Sequence, residues 1–184
     1  MALLESIKIP LGTKIPESEL KDPFGKTYKL SEQLGERGLL VVFTCNHCPY
    51  ALAVWPRVIR LASYGKGMRV NTVAVNPNIN PDFPDDAPPK MIEKIKALNI
   101  TFPYLVDETQ DVARAFRAQC TPDIYLFNKN KELVYHGRID DNWQDEDKVT
   151  REELKEAMNN LAAGLPITPK QMPSMGCSIK WRNG

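Results

Sequence analysis

Apolar positions change their spacing several times along the chain, and each change marks an element. Residues 39–44, LLVVFT, form a continuous apolar and β-branched run of strand length, the mark of a central strand covered on both faces. Beyond it Leu52, Trp55, Ile59 and Ala62 recur at three- and four-residue spacing. That period predicts a helix over about residues 49–64, kinked at Pro56 and stopped by Gly65-Lys66-Gly67. Residues 69–75, RVNTVAV, read as the next strand, and residues 76–90 carry five of the fifteen prolines and read as an irregular rim loop. Met91, Ile95 and Leu98 predict a helix, FPYLVD (102–107) a strand, and residues 109–119 a short helix with Val112, Ala115 and Phe116 inward. DIYLFN (123–128) and KELVYHGRI (131–139) read as a hairpin. Residues 150–164 read as a closing helix with Thr150 as N-cap and Gly164 as C-cap. Residues 165–184 have no period and form a tail that lies on the body or moves.

Alternating strand and helix followed by a hairpin and a helix imply an α/β fold, a mixed central sheet with helices on both faces. At 184 residues one domain is expected, spanning 1–184. The composition, 42% hydrophobic and 26% charged with a formal net charge of +1, describes an ordinary globule and offers no footprint for nucleic acid. No run approaches the roughly 18 apolar residues of a membrane span. The first twenty residues lack a basic segment leading into a sustained apolar core, so a cytoplasmic protein is expected.

Candidate chemistry concentrates in the four cysteines, 45, 48, 120 and 177. They are too few and too unevenly spaced for a stapled scaffold, so any chemistry they perform is dynamic. Cys45 and Cys48 enclose Asn46 and His47 at the junction of the first buried strand and its helix. A CxxC there reads as a thioredoxin-like redox pair, with Cys45 favoured as thiolate by the helix start and Cys48 one turn away to close a disulfide. A cationic His47 beside the Cys45 sulfur would lower its pKa further. The competing readings are two buried thiols or half a metal site, for which Cys120, Cys177 and the two histidines are the remaining ligands; no metal and no organic cofactor are expected. Cys120 is either a packed thiol or a neighbour of the pair, and Cys177 either a buried tail residue beneath Trp181 or a second resolving thiol. His136 reads as structural or surface, Trp55 as core, Tyr50 as a groove residue, and residues 140–147 as a solvated acidic loop without the pattern of a calcium loop.

TCNHCPY (44–50), FPYLVDETQDVARAF (102–116), CTPDIYLFN (120–128) and PSMGCSIKW (173–181) together resemble the thioredoxin-fold superfamily, in its peroxiredoxin-like AhpC/TSA branch, over roughly residues 16–181. The resemblance implies an N-terminal extension with a hairpin over about 1–38, a helix-and-strand insertion over 76–106, and a cis Thr121-Pro122 bond packed against the cysteines. It also implies supporting roles for Thr44, Asn46, His47, Pro49, Thr121 and Pro122. The acids that relatives keep in the preceding strand and after the second cysteine are replaced by Leu39 and Ala51, and the P-x-x-x-T-x-x-C spacing of peroxiredoxins is absent. The implied activity is thiol-disulfide oxidoreduction, Cys45 attacking and Cys48 resolving. Its partners would be a disulfide-bearing protein or small thiol substrate and an external thiol reductant. A thiol peroxidase with Cys48 or Cys177 resolving, or a redox-regulated binding module, are the alternatives.

Overall fold

The computed structural model describes residues 2–182. In chain order its elements are β1 (Leu3–Glu5), β2 (Glu19–Lys21), β3 (Thr27–Lys29), β4 (Gly38–Phe43), α1 (Pro49–Gly67), β5 (Val70–Asn76), α2 (Pro88–Ala97), β6 (Tyr104–Val106), α3 (Asp111–Phe116), β7 (Cys120–Thr121), β8 (Asp123–Asn128), β9 (Leu133–His136), α4 (Glu153–Ala163) and β10 (Met175–Ser178). Single 3-10 turns occupy Leu30–Glu32, Pro84–Asp86 and Glu146–Lys148.

Seven strands form one mixed sheet in the order β3-β2-β6-β5-β4-β8-β9. β4 runs parallel to β5 and antiparallel to β8, with Phe43 opposite both Val75 and Asp123. Every residue of β4 is buried, as its unbroken apolar run requires. The two-residue alternation of a strand divides these side chains between two cores. Leu40 and Val42 join Val54, Trp55 and Val58 of α1 and Leu154, Ala157 and Met158 of α4. Leu39, Val41 and Phe43 join Val112, Ala113 and Phe116 of α3 on the opposite face. Helices thus cover both faces, and each of these fully buried large aliphatic side chains contributes about 1.5–3 kcal/mol over its exposed state.

Some local expectations change. Helix α1 continues to Gly67 and includes Pro56 within one element of 19 residues. In α3 it is Ala113, not Ala115, that turns inward, because the helix is a single short stretch ended by Arg117 in the left-handed region. Thr150 is not an N-cap: its backbone N–H and hydroxyl both bond to Asp141, and α4 begins three residues later at Glu153. Gly164 does close α4, with φ 70°.

The largest difference lies in the tail. Its residues 175–178 are β10, the middle strand of a second sheet of order β1-β10-β7. Both pairings are antiparallel, with Cys177 opposite Leu3 on one side and Thr121 on the other. At Gly176 a side chain is excluded by close approach, since a Cβ there would lie 2.0 Å from the Thr121 carbonyl oxygen. The tail strand therefore sits directly on the residue that precedes Pro122.

Candidate active site

The end of β4 delivers the first cysteine. Thr44 N–H bonds to the Val75 carbonyl at 2.9 Å, holding the chain beside β5 as it leaves the sheet. The Cys45 carbonyl then accepts from Trp55 Nε1 at 3.1 Å, which ties the turn to α1. Pro49 occupies the first turn of α1, where its missing N–H costs no helical bond, and Cys48 is the N-cap. Both sulfurs meet Thr121, whose peptide bond to Pro122 is cis. Cys45 Sγ lies 3.3 Å from Thr121 Oγ1, and the Cys48 thiol donates to the Thr121 carbonyl at 3.2 Å. Cys45, Cys48, Ala51 and Cys177 form one buried cluster with Tyr50 packed against it.

The residues between the cysteines are fixed by an acid that the sequence did not single out. Asp86, fully buried at the end of the 3-10 turn before α2, accepts from Asn46 N–H at 2.5 Å and from Asn76 Nδ2 at 3.1 Å, and its other oxygen meets His47 Nδ1. Asn46 is further held by Tyr104 OH at 3.1 Å and donates to the Asp85 carbonyl at 2.9 Å. The His47 ring stacks on Phe83 with 5.1 Å between centroids. The insertion thus brings a carboxylate to the two residues between the cysteines. The proline-rich composition of 76–90 hid it, and the acidic pair Asp85-Asp86, one residue before a Pro-started helix, does not tell an inward acid from a solvated one.

Cys45, His47 and Asp86 bring one donor atom each to within 4.8 Å of one another. A tetrahedral metal site needs about four ligands. The sequence count of possible metal ligands therefore gains Asp86 and keeps His47.

Electrostatics divides the pair. Burial, the hydrogen bond to Cys48 and the nearby Asp86 carboxylate push the Cys45 thiol well above its ordinary range. Cys48 is pulled down to about 5, first by the hydrogen bond from Cys45 and then by Cys177 and the Ala51 and Cys177 backbone N–H groups. The shift at Cys45 runs opposite to the lowering expected from the helix start, and the N-cap position before Pro49 falls to Cys48. The two thiols are thus pulled apart, Cys45 upward and Cys48 downward.

A family description, AhpC/TSA, matches residues 11–136. The chain belongs to the AhpC/TSA family. An uncharacterized conserved protein from Geobacillus kaustophilus is 37% identical, with all of this chain and 98% of that one covered and a TM-score of 0.94. The thioredoxin domain of a thiol-disulfide oxidoreductase from Bacteroides vulgatus is 16% identical, covering 70% and 89% at a TM-score of 0.58. Peroxidoxin BcpB from Mycobacterium tuberculosis is 15% identical, covering 89% and 100% at 0.59. The fold is thioredoxin-like. No match was found among curated proteins.

Around this AhpC/TSA site the remaining candidates separate. Cys120 is buried at β7, its thiol turned to the Pro122 carbonyl at 3.5 Å, and burial raises its pKa far out of reach. His136 is structural: buried, it bonds to Asp123 at 2.9 Å and stacks on Tyr125. Trp55 is core, as expected. The acidic loop is solvated at Glu146 and Asp147 as expected, but Asp140 is buried and paired with Arg57 at 2.6 Å, and Trp143 packs on Tyr50 with 3.9 Å between ring centroids. Trp181 lies under Arg114, 4.5 Å from its guanidinium carbon, rather than above Cys177. Among the described residues no helix is long and apolar enough to cross a membrane.

Proposed function

We propose that the protein is a thiol-disulfide oxidoreductase in which Cys45 and Cys48 alternate between a dithiol and a disulfide. The observation that carries the reading is the convergence of both sulfurs on Thr121 beside the cis bond to Pro122. Cys45 attacks one sulfur of a substrate disulfide as its proton passes to Cys48, whose pKa is the lower of the two. A mixed disulfide forms at Cys45 and the other substrate sulfur leaves as thiolate. That thiolate takes the proton from Cys48. Cys48 then attacks Cys45 Sγ and releases the second substrate thiolate, and an external thiol reductant restores the pair. The substrate is a disulfide-bearing protein or a small-molecule disulfide.

Reduction of insulin disulfides with dithiothreitol as reductant tests this. Turnover is expected in the wild type and lost in Cys45→Ser, while Cys48→Ser accumulates a substrate adduct on Cys45. Turnover undiminished in Cys45→Ser would overturn the reading. Family membership favours a second reading, a peroxide reductase in which Cys45 is oxidised to sulfenic acid and then resolved. Stopped-flow oxidation by hydrogen peroxide separates the two, since a rate no faster than that of a free thiol removes it.

A further inference from the structure

Neither sulfur of the pair is exposed: Cys45 and Cys48 both have 0% of their surface open to solvent. β10 packs on them, its Cys177 belonging to the buried cluster that holds both sulfurs. The strand is fastened at both ends, by Ser174 N–H to Ser6 Oγ and Ser174 Oγ to the Gly137 carbonyl before it. After it, Lys180 N–H bonds to Asn78 Oδ1 and Gln110 Nε2 donates to the Lys180 carbonyl. Between these anchors Cys177 rests on the pair. Its side chain joins Cys45, Cys48 and Ala51 in one buried cluster. It stands opposite Thr121, the same residue that both active sulfurs contact.

We propose that Cys177 is a third redox sulfur of this site, exchanging with the Cys45–Cys48 disulfide, so that β10 is both the cover of the pair and its internal exchange partner. The proposal rests on the redox reading above and assigns it a further step. Once Cys45 and Cys48 are joined, Cys177 attacks Cys48 Sγ. The Cys45–Cys48 bond breaks, a Cys48–Cys177 bond forms, and Cys45 leaves as thiolate and takes the proton that Cys177 gives up. One disulfide replaces another, and no oxidant or reductant is consumed. In the reduced protein there is no Cys45–Cys48 bond to attack, and burial and the charge on Cys48 push the Cys177 thiol up to about 12. Oxidation of the pair removes that charge, and with it one cause of the high pKa. The exchange stores the oxidised state under the cover while leaving Cys45 free.

Trypsin separates the sulfurs conveniently, with Cys45 and Cys48 on residues 38–57, Cys177 on 171–180 and Cys120 on 118–129. Wild type, Cys45→Ser, Cys45→Ala and Cys177→Ala proteins are oxidised with diamide, which takes up the two electrons and two protons. They are then acid-quenched, alkylated with N-ethylmaleimide, digested and analysed by mass spectrometry without reduction. Both Cys45 variants are expected to yield 38–57 linked to 171–180. Oxidised wild type is expected to show that link together with a fraction of alkylated Cys45, and both signals vanish in Cys177→Ala. Cys48 and Cys177 recovered alkylated in both Cys45 variants, while wild type closes a disulfide within 38–57, would overturn the proposal and leave the redox reading standing. Wild type forming neither linkage overturns both.

Discussion

Two side chains decide the character of the site. Cys48, capping α1, ionises near pH 5 when folded and near 9 when unfolded. Between those values the unfolded chain binds more protons, so the stability this thiolate contributes is complete above about pH 9 and is lost as pH falls towards 5. Thermal unfolding of the reduced protein should therefore show the wild type losing its advantage over Cys48→Ala as pH is lowered from 9 to 5. A pH-independent difference would contradict a thiolate at Cys48. Asp86 is the other. Cys45 and Cys48 were legible from their place between a buried strand and a helix. Asp86 was not, because a loop has no period and nothing local distinguishes an acid that turns inward from one that faces water. Its partners, Asn46, His47 and Asn76, come from two other parts of the chain.

At the level of elements, β4, β5, β8 and α1 followed from apolar spacing because burial on one or both faces imposes that spacing. β10 did not, since it is held by edge hydrogen bonds to strands of three and two residues, and hydrogen bonding of this kind leaves no hydrophobic period. The strand has one vulnerable position. A methyl group at Gly176 would collide with backbone at 2.0 Å rather than with a flexible side chain. Gly176→Ala is therefore expected to lift β10 and speed alkylation of the cysteine pair in the reduced protein by tenfold or more, an order-of-magnitude figure for losing about 1.4 kcal/mol of closure. An unchanged alkylation rate would show that the cover is not what protects the sulfurs.

Across the whole molecule, a buried ion pair joins helix α1 to the loop that follows β9. Arg57 binds the Asp140 carboxylate and also the carbonyls of Asn142 and Trp143, the latter at 2.5 Å. Trp143 in turn packs on Tyr50 beside the cysteines. Removing the cation leaves Asp140 buried without its partner, and burial already raises that carboxyl. Arg57→Ala should cost about 3–5 kcal/mol in chemical denaturation. A loss below about 1 kcal/mol would mean that the loop relaxes into water and that the pair is an ornament of the surface. Sequence spacing marked residue 57 only as part of a helix, because the partner that buries it lies over eighty residues further on.

The tail strand also sets an order of events during synthesis. Cys45, Cys48, Thr121 and their surrounding sheet all leave the ribosome before β10 does. Domains begin to organise as they emerge, so the nascent chain carries an uncovered pair of sulfurs until its last strand arrives. Through that interval the pair meets whatever thiols and disulfides surround it, and after closure it exchanges only when β10 lifts.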